Sequence, residues 1–208
     1  MSATATKTTQ RRSTPAAPPV DQPRRLAPRT RKVLLAAHVV VGVGWLGVAV
    51  SKLALGVAAV RLADSDPGLA VAAYGLLDDP VTTITRVAAI ATLVTGVALS
   101  VGTKWGLLRH WWIVTKLALT VGTILLGNQV IDGWTQQAIA GAAGAATRDL
   151  ATAVGHLGRQ LVAVMGLNVA LLAAASVIST IKPWGRTPRG RRVAATRRAH
   201  ARAAGATR

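Results

Sequence analysis

The stretch His38–Lys52, HVVVGVGWLGVAVSK, carries a histidine, a tryptophan and a lysine seven residues apart in an otherwise Val-, Gly-, Ala- and Leu-rich run. Seven residues is close to two helical turns, so His38, Trp45 and Lys52 fall along one side of a helix. The run from Val33 to Arg61 that contains them is long enough to cross the ~30 Å of bilayer hydrocarbon, which takes about 20 apolar residues. It follows 32 mostly polar residues and is too long to read as a cleaved signal peptide. The fold therefore turns on whether the rest of the chain repeats this pattern.

It does so three times, at Val81–Val101, Trp111–Ile131 and Leu161–Ile181. Four such runs with almost no polar face predict an all-α, four-transmembrane-helix bundle over residues 33–181, rather than the buried core of a soluble protein. Mean hydropathy is +0.40 although the formal net charge is +18. The charge is segregated. Of the 25 Lys and Arg, eight lie in residues 1–32 and nine in residues 182–208, while the apolar middle holds six of the seven acids. The flanks 1–32 and 182–208 thus read as disordered basic tails. They are topogenic charge, or charge that rests on anionic lipid headgroups. Neither has the aromatic or glycine-rich interleaving of a nucleic-acid binder, and no nucleic-acid partner is expected.

Cation-rich and acid-rich connections alternate. Residues 1–32, the segment with Lys104 and Arg109, and the C-terminal tail are basic; the other two connections carry Asp64, Asp66, Asp78 and Asp79, then Asp132 and Asp149. By the positive-inside rule both termini are cytoplasmic, as an even number of spans requires. Trp105, Trp111, Trp112 and Trp184 then mark the inner membrane boundary, and Trp134 and Tyr74 the outer one. The connection 132–158 is long for a bundle, and its Ala-rich second half is expected to extend the fourth span as helix.

Cations inside the spans need a reason, because one at the bilayer centre costs roughly 2.5–3.5 kcal/mol on insertion scales. His38 and Lys116 each lie about five residues, or about 8 Å, from the inner ends of spans one and three, so they can face one another. They are either packing groups, with Lys116 snorkelling to the interface, or a site. In a site a neutral imidazole at His38 could ligate metal or haem iron, while Lys116 holds an anionic group such as a propionate. Trp45, with Gly42, Gly44 and Gly47 around it, would allow close approach of a helix or a flat ligand. Lys52 and Arg86 lie toward the outer side, where ion pairing with Asp78 and Asp79 is expected. Asn128 is expected to bond between helices.

"LLAAHVVVGVGWLG" resembles the first helix of the copper-resistance D family, and "HWWIVTKLALTVGTILLGNQ" resembles that family's later Lys-Leu-Ala-Leu helix. The same His and Lys pair is similar to the membrane protoporphyrinogen oxidase family, and "SVISTIKPWGRTPRGRR" resembles uncharacterised four-helix integral membrane proteins of actinobacteria. The resemblance implies a multi-pass protein of the bacterial plasma membrane, with His38 a candidate haem ligand and Lys116 its partner. Two Met and no Cys form a poor donor set for a copper carrier. No carboxylate lies within the spans for proton coupling, and no Ser-His-Asp set, phosphate-binding loop or HExxH motif supports a hydrolase. The expected role is therefore accessory or structural, with haem or porphyrin binding as the alternative and small-solute transport behind both. A homo-oligomer is compatible with either.

Overall fold

The structure is a computed structural model and describes residues 26–78, 81–103, 105–144 and 150–206, without the side chains of 150–154. Residues 1–25, Asp79, Lys104 and Asp149 lie outside the described residues. The chain is all-α: α1 (Pro28–Leu62), α2 (Pro67–Gly75), α3 (Val81–Val101), α4 (Trp111–Leu125), a π-helical turn (Leu126–Ile131), α5 (Asp132–Gly144), α6 (Leu150–Ile181) and α7 (Pro188–Ala206). Four long apolar helices pack together, with the length and hydropathy of membrane spans: Pro28–Leu62, Val81–Val101, Trp111–Gly144 and Gly155–Ile181. In the most apolar window of the first, only 11% is buried. Val40, Val43, Ile90 and Val94 stand outward, each more than half exposed. Outward apolar side chains at this density suit lipid as the solvent.

The helix boundaries follow local chemistry. Pro28 occupies the first turn of α1, where its missing N–H costs nothing, so the helix starts five residues before the apolar run. Asp66 caps α2 by accepting from the Leu69 amide at 3.0 Å, and Pro67 follows it. Lys182 ends α6 in the left-handed conformation (φ 51°), and Pro183 then prevents resumption.

The third span runs on through the π-helical turn into α5, so the helix is 34 residues long, about 50 Å at 1.5 Å per residue. Much of the expected loop 132–158 is therefore helix: α5 forms its first half, and α6 begins at Leu150. This overhang packs with α2 and the end of α1 into the larger buried core, around Ala59, Ala70, Tyr74, Leu77, Ile131, Ala138, Leu161 and Met165. Tyr74 belongs to that core at 1% exposure and is not a boundary aromatic. Gly158 admits it, since a Cβ there would meet the Tyr74 hydroxyl. The expected close approach of a helix is not made at Gly44 and Gly47, as both face open space. It occurs instead at Gly56, where a Cβ would come within 3.2 Å of Met165 Sδ.

The expected C-terminal disorder is also corrected, because residues 188–206 form α7. Ala and Arg are among the strongest helix formers. Thr187 caps the helix, accepting from the Gly190 amide at 3.1 Å, and Pro188 opens it.

Candidate functional site

At the end of the bundle where the described chain begins and ends, the helices line a partly open cavity of about 270 Å³. Its lining comes from α1, α3, α4, the α3–α4 connection and the end of α6, and it includes His38 and Lys116. Lys116 Nζ lies 3.3 Å from His38 Nε2 and donates to Ser179 Oγ at 3.1 Å. On the other side of the ring, His38 Nδ1 lies 2.8 Å from Thr95 Oγ1. The Thr95 hydroxyl already donates to the carbonyl of Ala91 at 2.7 Å. With that proton committed, Thr95 accepts from Nδ1–H, which leaves the Nε2 lone pair to accept from the Lys116 ammonium. The donor chain Lys116 to His38 to Thr95 to Ala91 is thereby complete, with a neutral imidazole at its centre. Gly96 sets the ring against α3, since a Cβ there would stand 3.0 Å from His38 Cε1.

The mouth of the cavity is aromatic and cationic. The rings of Trp105 and Trp112 meet edge to face with centroids 5.8 Å apart. Lys182 Nζ stands 5.8 Å and 6.0 Å from their centroids, within cation–π range. The left-handed turn at Lys182 brings that side chain back over the rings. His110 packs on Trp105 at 5.2 Å and donates Nδ1–H to its carbonyl at 3.0 Å. A clasp secures this end. Thr187 donates its hydroxyl to the Leu108 carbonyl (2.7 Å) and its amide to that of Arg109 (3.0 Å), and an antiparallel bridge pairs His110 with Arg186.

Trp45 does not share this site. It is buried one layer deeper with Ala49, Ala89 and Leu172, and its Nε1 has no hydrogen-bond partner among the described residues. Lys52 and Arg86 form a third layer near the opposite end, where the carboxylate they share is Asp132, not Asp78. Lys52 Nζ lies 3.5 Å from Oδ1, and Arg86 donates to Oδ2 at 2.9 Å. Asp78 instead accepts from Gln136 Nε2 at 2.8 Å. The pairing expected at Asp79 lies outside the described residues. Asn128, expected to bond between helices, is exposed on the π-helical turn beside a small cavity that Lys52, Arg86 and Asp132 also line.

Residues that sequence reasoning missed are Thr95, Ser179, Lys182 and Asp132. The hydroxyls of Thr95 and Ser179 look like ordinary span residues, and only the depth match with His38 and Lys116 could have pointed to them. Haem fits the His38 arrangement poorly. The nitrogen that would meet iron already accepts from Lys116, and a cation 3.3 Å away opposes a ferric centre. Among the described residues no three His or carboxylate groups come together to hold a metal ion. Lys116 keeps one N–H beyond the two that His38 and Ser179 take. Compared with protein-family models, curated proteins and solved structures, the chain matches none.

Proposed function

We propose that the protein is a multi-pass protein of the cell membrane, with both termini cytoplasmic, that binds an organic ligand in the cavity beside His38 and Lys116 and acts as a binding or accessory protein. The spans support membrane residence, and the alternation of basic and acidic connections supports the orientation. The basic α7 would then lie where it can meet anionic lipid headgroups.

One observation carries the binding reading. A bundle that needs only to pack closes its interior with apolar side chains, yet this one keeps a cavity of about 270 Å³ lined by Lys116, His38, Arg31 and Lys182. That volume lies near the low end of ligand sites, which run from about 300 to 1,000 Å³. The test is native mass spectrometry of the detergent-purified protein beside Lys116→Met, with an absorption spectrum of the same samples. A small molecule retained by the parent and lost from the variant supports the reading; parent and variant each at the mass of its bare chain overturn it. A Soret band that disappears in His38→Ala would instead establish the haem alternative, with Lys116 displaced from Nε2.

A further inference from the structure

The cavity's lining divides into a cationic part and an apolar part. The positive groups are Arg31, Lys116 and Lys182, and no carboxylate is among the described residues that line it. Lys116 is the decisive one. It is partly buried between helices, and no carboxylate among the described residues lies within 4.0 Å of it. His38 and Ser179 take two of its three N–H groups. An ammonium within a membrane bundle is costly unless a counter-charge meets it. By contrast, the bundle's other inward lysine, Lys52, has its own aspartate.

Thr92 belongs to the same lining. Thr92 is 8% exposed and lines the cavity, yet its hydroxyl has no hydrogen-bond partner among the described residues. A buried hydroxyl left unpaired costs about as much as a lost hydrogen bond, so the lining carries a polar group still without a partner among the described residues. Leu93, Val97, Ile113 and Leu117 supply the apolar part. These come from α3 and α4, which pack against each other more sparsely than α1 packs on α3 or α6, or α4 on α6. The α3–α4 seam is thus the loose side of the bundle, and it faces lipid.

Resting on the binding reading above, we infer that the ligand is an anionic amphiphile whose phosphate or carboxylate head is held by Lys116 between Arg31 and Lys182, and whose apolar tail leaves along the α3–α4 seam. The head supplies the counter-charge that Lys116 lacks among the described residues. The tail covers the Leu93, Val97 and Leu117 surface. The trapped head lies beside Trp105 and Trp112, so binding has a spectroscopic reporter.

The test titrates the purified full chain in neutral detergent with lysophosphatidic acid, following tryptophan emission. A monoacylglycerol of the same chain length, which lacks any charged head, a long-chain fatty acid and inorganic phosphate are run in parallel. Expected is saturable binding of lysophosphatidic acid, with the fatty acid also binding and the uncharged monoacylglycerol weaker by about tenfold or more, the factor that one charge-assisted hydrogen bond supplies. Lys116→Met removes that preference, whereas Arg86→Ala, at the opposite end, leaves it intact. Val97→Phe, which fills the seam, weakens the long-chain ligands and spares inorganic phosphate.

Equal affinity for lysophosphatidic acid and the monoacylglycerol overturns the anionic head, and equal affinity for inorganic phosphate overturns the tail. Retention of a neutral molecule or haem by the purified protein overturns this ligand class and leaves the binding reading standing. No binding of any probe, together with parent and Lys116→Met each at the mass of its bare chain, overturns both.

Discussion

His38 Nε2 and Lys116 Nζ lie 3.3 Å apart, although 78 residues separate them in the chain. The contact joins α1 to α4 across the cavity and fixes which imidazole nitrogen carries the proton. It also determines how Lys116 answers substitution. Removing one member of an ion pair leaves a buried charge unmatched, but Lys116 has no carboxylate partner among the described residues, so its removal strands none. Lys116→Met should therefore keep stability to within about 1 kcal/mol, since an apolar side chain of similar length replaces a partly buried ammonium. Thermal unfolding in detergent checks this. A loss of several kcal/mol would make Lys116 a structural strut.

Asp132 gives the opposite expectation. The Lys52 and Asp132 side chains are 6% and 14% exposed, so Asp132→Asn leaves Lys52 buried without its counter-charge. The expected loss is about 3 kcal/mol, at the lower edge of the range for breaking buried pairs. Arg86 holds the same carboxylate from a side chain 53% exposed, and Arg86→Ala should cost less than about 1 kcal/mol. Denaturation of the two variants side by side decides the matter; equal losses would refute the burial argument.

The spans were legible because apolar runs report burial and lipid contact directly, and the run Val81–Val101 coincides with α3. The overhangs were not legible. Asp132 to Gly144 is Ala- and Gln-containing and reads as a connection, yet it continues the third span because α2 and α6 give its small residues a surface to pack on. Asp132 escaped notice for a related reason. The π-helical turn at 126–131 shifts the helical register, and a straight 3.6-residue period does not anticipate which way the next residue faces. The His38–Trp45–Lys52 line was read as one side of α1, and each of its members meets a partner on another helix. Its members nevertheless serve three separate layers: the cavity, the Trp45 cluster and the Asp132 pair. Spacing gives direction around a helix, while the partners on other helices determine what each layer does.

The orientation proposed from charge can be read with single cysteines, because the chain has none of its own. Thr196→Cys in α7 and Gly144→Cys at the end of α5 are both exposed positions at opposite ends of the bundle. In intact cells a membrane-impermeant maleimide should label the position 144 variant and spare the position 196 variant until the membrane is opened. The reverse pattern would invert the topology, and with it the leaflet to which the cavity belongs.

Tyr74 offers a test of the core between α2 and α6. Its hydroxyl is buried with no hydrogen-bond partner among the described residues, so Tyr74→Phe removes an unsatisfied polar atom and should leave stability unchanged or raise it by about 1 kcal/mol. Burial raises the phenol above its ordinary value of 10.0, because it disfavours the phenolate. The folded chain therefore holds this proton at pH values where the unfolded chain has released it. The contribution is fully present below about pH 10 and is lost as pH rises through the raised value. The parent should consequently lose stability faster than Tyr74→Phe above pH 10. Gly158→Ala, which places a methyl group where the hydroxyl sits, should cost about 1–3 kcal/mol, and adding Tyr74→Phe should recover part of that loss. Parallel alkaline unfolding curves for the parent and Tyr74→Phe would show that the phenol is hydrated, and full tolerance of Gly158→Ala would show that α2 does not seat against α6 as described.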